Sequence, residues 1–92
     1  MPILRIPSPL RPYAEGVSEM EVQAENVGQA IEELTVQYPA LYTHLFSEEG
    51  ELRPFVNLFL NEEDVRHLQG KDTLLKDGDR LMILPSIAGG GA

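Results

Sequence analysis

Cysteine is absent from the chain, which excludes a disulfide framework, a thiol nucleophile and a thiolate zinc site. That absence fits a reducing, cytoplasmic compartment. Basic residues are scarce: 7 stand against 15 acidic ones, for a net charge of -8. Such a surface repels phosphate backbones and anionic membranes, so neither nucleic acid nor a membrane is expected as a partner. Partners should instead present basic or apolar docking faces. No run approaches the roughly 18 apolar residues of a membrane helix, and Met1-Pro2-Ile3-Leu4-Arg5 lacks the apolar stretch of a secretory signal. The only histidines are His44 and His67. His44 lies among aromatic and aliphatic neighbours and reads as structural, whereas His67 reads as a surface residue.

What is present is globular. Hydrophobic residues at 42% and charged residues at 24% of 92 positions argue against disorder and for one domain with a modest core. Ile3 to Ile6 reads as a strand halted by Pro7, and residues 7–16, with prolines at 7, 9 and 12, read as an extended loop. From Ser18 to Ala24, Met20, Val22 and Ala24 alternate with polar residues, which predicts a strand wet on one face and an N-terminal hairpin.

The period then changes from two to that of a helix. Val27, Ala30, Ile31, Leu34 and Tyr38 share one helical face, predicting a helix from about Val27 to Gln37. Asn26 suits the N-cap, with Gln29 completing a capping-box pattern, and Pro39 closes the element. Leu41 to Phe46 adds a further turn. Leu52 to Leu60 reads as a strand with Val56, Leu58 and Leu60 inward and Phe55, Asn57 and Phe59 outward. Asn61-Glu62-Glu63-Asp64 reads as a turn, Val65 as the start of a short strand, and Thr73 to Leu75 as one helical turn. Lys76 to Asp79 turns the chain into a last strand, Arg80 to Leu84, ended by Pro85. The first and last strands, both apolar and free of internal proline, are expected to lie side by side at the centre. The predicted class is α+β, a mixed sheet covered on one side by one main helix.

Little in this chain is equipped for catalysis. Glu62-Glu63-Asp64 reads as a solvated turn and Asp77-Gly78-Asp79 as turn chemistry, with glycine supplying the positive φ. No serine has a base beside it in sequence, and no metal, cofactor or catalytic residue is called for. The chain is therefore read as a non-enzyme. Two features remain. Phe59, Met82 and Leu84 point away from the helix by alternation, where a merely solvated sheet would carry polar residues. They are expected to form a partner-binding patch. Residues 87–92, Ile87-Ala88-Gly89-Gly90-Gly91-Ala92, form a glycine-rich tail beyond a body of residues 1–86. The tail reads either as a frayed terminus or as a carboxyl-presenting arm. For the arm, glycine permits close backbone approach and leaves the carbonyl unhindered by a β-carbon.

The C-terminal stretch carries Asp77-Gly78-Asp79, the alternating aliphatics Leu81 and Ile83, Pro85, and then Gly89-Gly90. It resembles the final strand and tail of the MoaD/ThiS-type sulfur-carrier proteins. Ile6-Pro7 with Leu10-Arg11-Pro12, and the stretch Arg53 to Arg66, resemble the CysO-type branch that serves cysteine biosynthesis. The resemblance implies the β-grasp, or ubiquitin-like, fold. It also implies a carrier whose terminal glycine, here Gly90, is adenylated by an E1-like enzyme and converted to a thiocarboxylate. That group then gives sulfide to an activated serine derivative on a PLP-dependent synthase. Family members ready for activation end at the diglycine. The continuation through Gly91 and Ala92 therefore implies a precursor trimmed by a JAMM-type zinc peptidase, after Gly90 or, as the lesser alternative, after Gly91. Delivery to molybdopterin or thiamin synthesis, attachment to protein lysines as a modifier, and an inert tail on an interaction module all stay open.

Overall fold

A computed structural model describes residues 1–54 and 56–85. Its strands are β1 (Ile3–Arg5), β2 (Glu19–Glu21), β3 (Val56–Leu60), β4 (Glu63–Asp64) and β5 (Arg80–Pro85). The helices are α1 (Val27–Gln37) and α2 (Tyr42–Leu45), with 3-10 turns at Ser8–Ala14, Pro39–Leu41, Val65–His67 and Gly70–Asp72. The sheet order is β2-β1-β5-β3-β4. β1 and β5 run parallel, and the other neighbours are antiparallel. This mixed sheet, with one main helix across it, has the β-grasp arrangement. The first and last strands pair near the middle as expected.

The alternation in the sequence becomes the division between core and surface. Leu4, Val56, Leu58, Leu60, Leu81 and Ile83 are buried from the strands, and Val27, Ala30, Ile31 and Leu34 from α1. The helix begins at its predicted cap: Asn26 Oδ1 accepts from the Gln29 N–H at 2.8 Å. The Gln29 side chain reaches back one residue further than a standard capping box and accepts from the Glu25 N–H at 3.0 Å. Satisfying two otherwise unpaired donors this way stabilises the helix start by about 1 kcal/mol.

Three local expectations are corrected. Residues 8–14 form a 3-10 helix rather than an extended loop. The fixed φ of proline suits a 3-10 turn as well as extended chain, and burial of Leu10 and Ala14 selects the turn. The fourth strand is Glu63–Asp64, earlier than Val65, because Asn61 and Glu62 alone reverse the chain with φ of 51° and 74°. Thr73 to Leu75 is not a helical turn. The turn falls at Gly70–Asp72, closed by Thr73 Oγ1 accepting from the Gln69 N–H at 3.0 Å. Thr73 and Leu75 then strap the start of α1, Val27 N–H donating to Thr73 O and Leu75 N–H to Glu25 O. The strands at 3–6 and 18–24 pair over shorter spans than read, and β5 includes Pro85, opposite Val56. The outward placement of Phe55 and the tail, residues 87–92, lie outside the described residues.

Candidate docking face and tail root

β5 leads directly to the tail, so the surface around it is what any protein handling the tail would meet. The strand registers arrange the face away from α1 into rows. Glu19 stands opposite Arg5, Arg5 beside Met82, Met82 opposite Phe59, and Phe59 opposite Asp64. One step toward the tail, Leu84 stands opposite Asn57. Phe59 and Met82 are thus direct partners across two strands, each half-buried, and Leu84 is 41% exposed. The three residues singled out from the sequence do come together. They form an apolar centre rather than an open hydrophobic sheet.

Charged residues bracket that centre. On one flank Arg5 Nε lies 3.6 Å from Glu19. On the other, Arg66 Nη2 meets Asp64 Oδ2 at 2.7 Å and donates to Asn57 Oδ1 at 2.9 Å. Asp64 also accepts from the Arg66 backbone N–H at 2.8 Å. The side-chain hydrogen bonds of Arg66, followed by its backbone N–H, hold the Asp64 carboxyl down at about 2. The cause is direct hydrogen bonding to the ionised form. Sequence reading missed this clamp. Its one local signal was the spacing of Asp64 and Arg66, with an N-cap residue donating nothing and accepting from its second neighbour.

The far end of the face is fixed by Asn61. Its N–H donates to Arg80 O at 2.9 Å. The reciprocal rung uses the side chain, with Arg80 N–H donating to Asn61 Oδ1 at 3.0 Å. Asn61 Nδ2 donates to Asp79 Oδ1 at 2.9 Å, while Asp79 Oδ2 accepts from the Lys76 N–H at 2.8 Å. Asp77-Gly78-Asp79 is therefore turn chemistry, as read: Gly78 has φ 85° and Asp79 joins the turn to the β3–β4 hairpin. Between Asn61, Arg5 and Arg80 opens a concavity of about 280 Å³ floored by Phe59 and Met82, with Glu62 on its wall.

The histidines are placed as expected. His44 packs on the Tyr13 ring with centroids 4.0 Å apart, and His67 is exposed. Gly89, Gly90, Gly91 and Ala92 lie outside the described residues. Among the described residues no helix is long and apolar enough to cross a membrane.

Comparison with known proteins places the chain in context. The ThiS family profile matches residues 4–90. The chain is 38% identical over 87 residues to the sulfur carrier protein CysO of Mycobacterium tuberculosis, covering 92% of this chain and 94% of that one. It is 41% identical over 64 residues to small archaeal modifier protein 3 of Haloferax volcanii, covering 70% of this chain and 68% of the other. Among solved structures, the Amycolatopsis orientalis BexX/CysO complex superposes with a TM-score of 0.85 at 34% identity. That match covers 98% of this chain and 100% of the matched one.

Proposed function

Because the chain belongs to the ThiS family, we propose that it is a sulfur carrier of the CysO type, supplying sulfide for cysteine or a related sulfur metabolite. The observation that carries this reading is the family match itself, which spans the body and runs through Gly90. An E1-like enzyme activates the Gly90 carboxylate: a carboxylate oxygen attacks the α-phosphorus of ATP, and pyrophosphate leaves. A sulfur donor then displaces AMP at the carbonyl, producing the thiocarboxylate. The thiocarboxylate sulfur then bonds the β-carbon of an activated serine derivative on a PLP-dependent synthase as that derivative's leaving group departs, and water cleaves the acyl link to return the Gly90 carboxylate. The carrier lends no catalytic group. Its contribution is a tethered acyl group, held so that each attack is effectively intramolecular.

Phe59, Met82 and Leu84 serve as the docking patch for the activating enzyme, set beside the strand that leads to the tail. In this chain Gly90 is bonded to Gly91, so activation at Gly90 requires that bond to be cut, by a JAMM-type zinc peptidase. Misplacing a reacting atom by about 1 Å can cost roughly a hundredfold in rate, so an uncut chain should not react.

ATP–pyrophosphate exchange with chains ending at Gly90, Gly91 and Ala92 tests the reading. Reaction of the Gly90 chain alone is expected, a preference for Gly91 moves the cut by one residue, and equal rates for all three reject the precursor. Phe59→Asp should keep the fold and slow activation; unchanged activation of a folded variant rejects the patch. The likeness to a small archaeal modifier protein favours one second reading, attachment of the same glycine to protein lysines. Mass spectrometry of the protein from its native host separates the two. A thiocarboxylate replaces one oxygen by sulfur, whereas a modifier appears as branched conjugates.

A further inference from the structure

On the opposite side of β3 from Phe59 lies a second concavity, of about 400 Å³, at the sheet edge between β3 and the turns that follow β4. Its floor is aliphatic, with Leu52, Val56 and Val65 among its residues. Its rim carries Arg53, Arg66 and Lys71. That is three of the chain's 7 basic residues, while none of the described residues lining it is one of the 15 acidic ones. In a chain of net charge -8, this groove has the opposite electrostatic character to the surface around it.

The three cations are held differently. Arg53 Nε donates to Thr43 O at 3.0 Å, which fixes the guanidinium at the rim. Arg66 is turned toward the other face, where its charge is met by Asp64 and its Nη2 donates to Asn57, so it adds no free charge to the groove. Lys71 makes no ion pair among the described residues. An adjoining concavity shares Leu52 and Lys71 but carries Glu32 and Glu51 instead. The free basic character therefore rests on Arg53 and Lys71 and is strongest at the Arg53 end, which gives the groove a direction.

We propose that this groove docks an acidic, aliphatic-bearing segment of a partner protein, with carboxylates toward Arg53 and Lys71 and an aliphatic side chain on Leu52 and Val56. Carboxylates suit the rim because arginine pairs with them through two parallel N–H donors. An aliphatic residue suits the floor because Leu52 is only half-buried, leaving apolar surface to cover. The site faces the helix side of the sheet, away from Phe59, Met82 and Leu84, so both surfaces can be engaged at once.

The test is a titration of the ¹⁵N-labelled full chain with the synthetic peptide Asp-Leu-Glu-Ile-Asp-Leu. Two controls accompany it, one with lysines replacing the acidic residues and one with glycines replacing the aliphatic ones. Amide shifts are expected at Leu52, Arg53, Val65 and Lys71, with the sheet-face amides of Phe59, Met82 and Leu84 unmoved. Both control peptides should bind more weakly. The Arg53→Glu/Lys71→Glu variant, checked for fold by its amide spectrum, should lose affinity roughly tenfold, as for two exposed ion pairs. Shifts at Phe59 and Met82, equal binding of the lysine peptide, or undiminished binding by the double variant would overturn the proposal. So would groove shifts in the free chain on removing residues 87–92, which would make the tail the occupant. None of these readouts involves adenylation, so the groove and the carrier reading stand or fall separately.

Discussion

Replacing Asn61 by alanine attacks the joint between the β3–β4 hairpin and the start of β5 in two ways. It removes the Oδ1 bond from the Arg80 N–H and the Nδ2 bond to Asp79, each contributing about 1 kcal/mol. It also puts a β-carbon without a local polar partner at φ 51°, which costs about 1 kcal/mol more. The expected loss is about 3 kcal/mol. Asn61→Gly forfeits the same hydrogen bonds but tolerates the backbone, so about 2 kcal/mol is expected. For a domain of this size each kcal/mol moves the midpoint by about 4–8 °C, so alanine should lower it by roughly 12–24 °C and glycine by roughly 8–16 °C. Thermal and urea unfolding followed by circular dichroism would measure both. Equal losses would remove the backbone contribution from the account. Losses within about 0.5 kcal/mol of the parent for both variants, the range of an ordinary surface change, would refute the clamp altogether.

Glu62→Gly should do the reverse, raising stability by about 0.5–1 kcal/mol, because residue 62 sits at φ 74° where only glycine is unstrained; a destabilised variant would contradict the strain. Asp64 has its folded-state value lowered from 3.8 to about 2. Its contribution is therefore complete above about pH 4 and is lost as pH falls toward 2. Asp64→Asn should flatten the acid limb of the stability curve in that window, and an unchanged limb would mean the Arg66 contacts do not favour the ionised form. Ile31→Ala empties a position that is 1% exposed and should cost about 2–5 kcal/mol by denaturant unfolding; a loss below about 1 kcal/mol would displace Ile31 from the core.

The parts of the fold that the sequence made legible are those written in periodicity. Val27 to Gln37 matched helix α1 to the residue, cap included, because a 3.6-residue stripe and an N-cap asparagine are both local signals. The inward faces of β3 and β5 followed from strict alternation. Residues 8–14 were misread because proline fixes φ without choosing between extended chain and 3-10 turn. Long-range burial of Leu10 and Ala14 decided it. The β3–β4 reversal was displaced because it uses Asn61 and Glu62 at positive φ without a glycine to announce it. At the candidate docking face, alternation placed Phe59, Met82 and Leu84 on the side away from α1, where the strand registers have them. Arg5 and Arg66 escaped, since their place beside Met82 and Asn57 depends on which strands become neighbours. That pairing is set by the whole sheet and leaves no mark in any short window.

The position of β5 has a mechanical consequence. It is flanked on both sides, by β1 in parallel and β3 antiparallel, and the chain leaves it past Pro85. A pull along the chain beyond Pro85 loads the rungs to both neighbours in shear, so they must give way together and cannot unzip one at a time from an edge. The C-terminal end of the body is thereby anchored by a strand paired on both sides and not by one at the edge of the sheet. Tension at the terminus is spread through the centre of the body, and the clamp of Asn61 on Arg80 secures the strand at its opposite end.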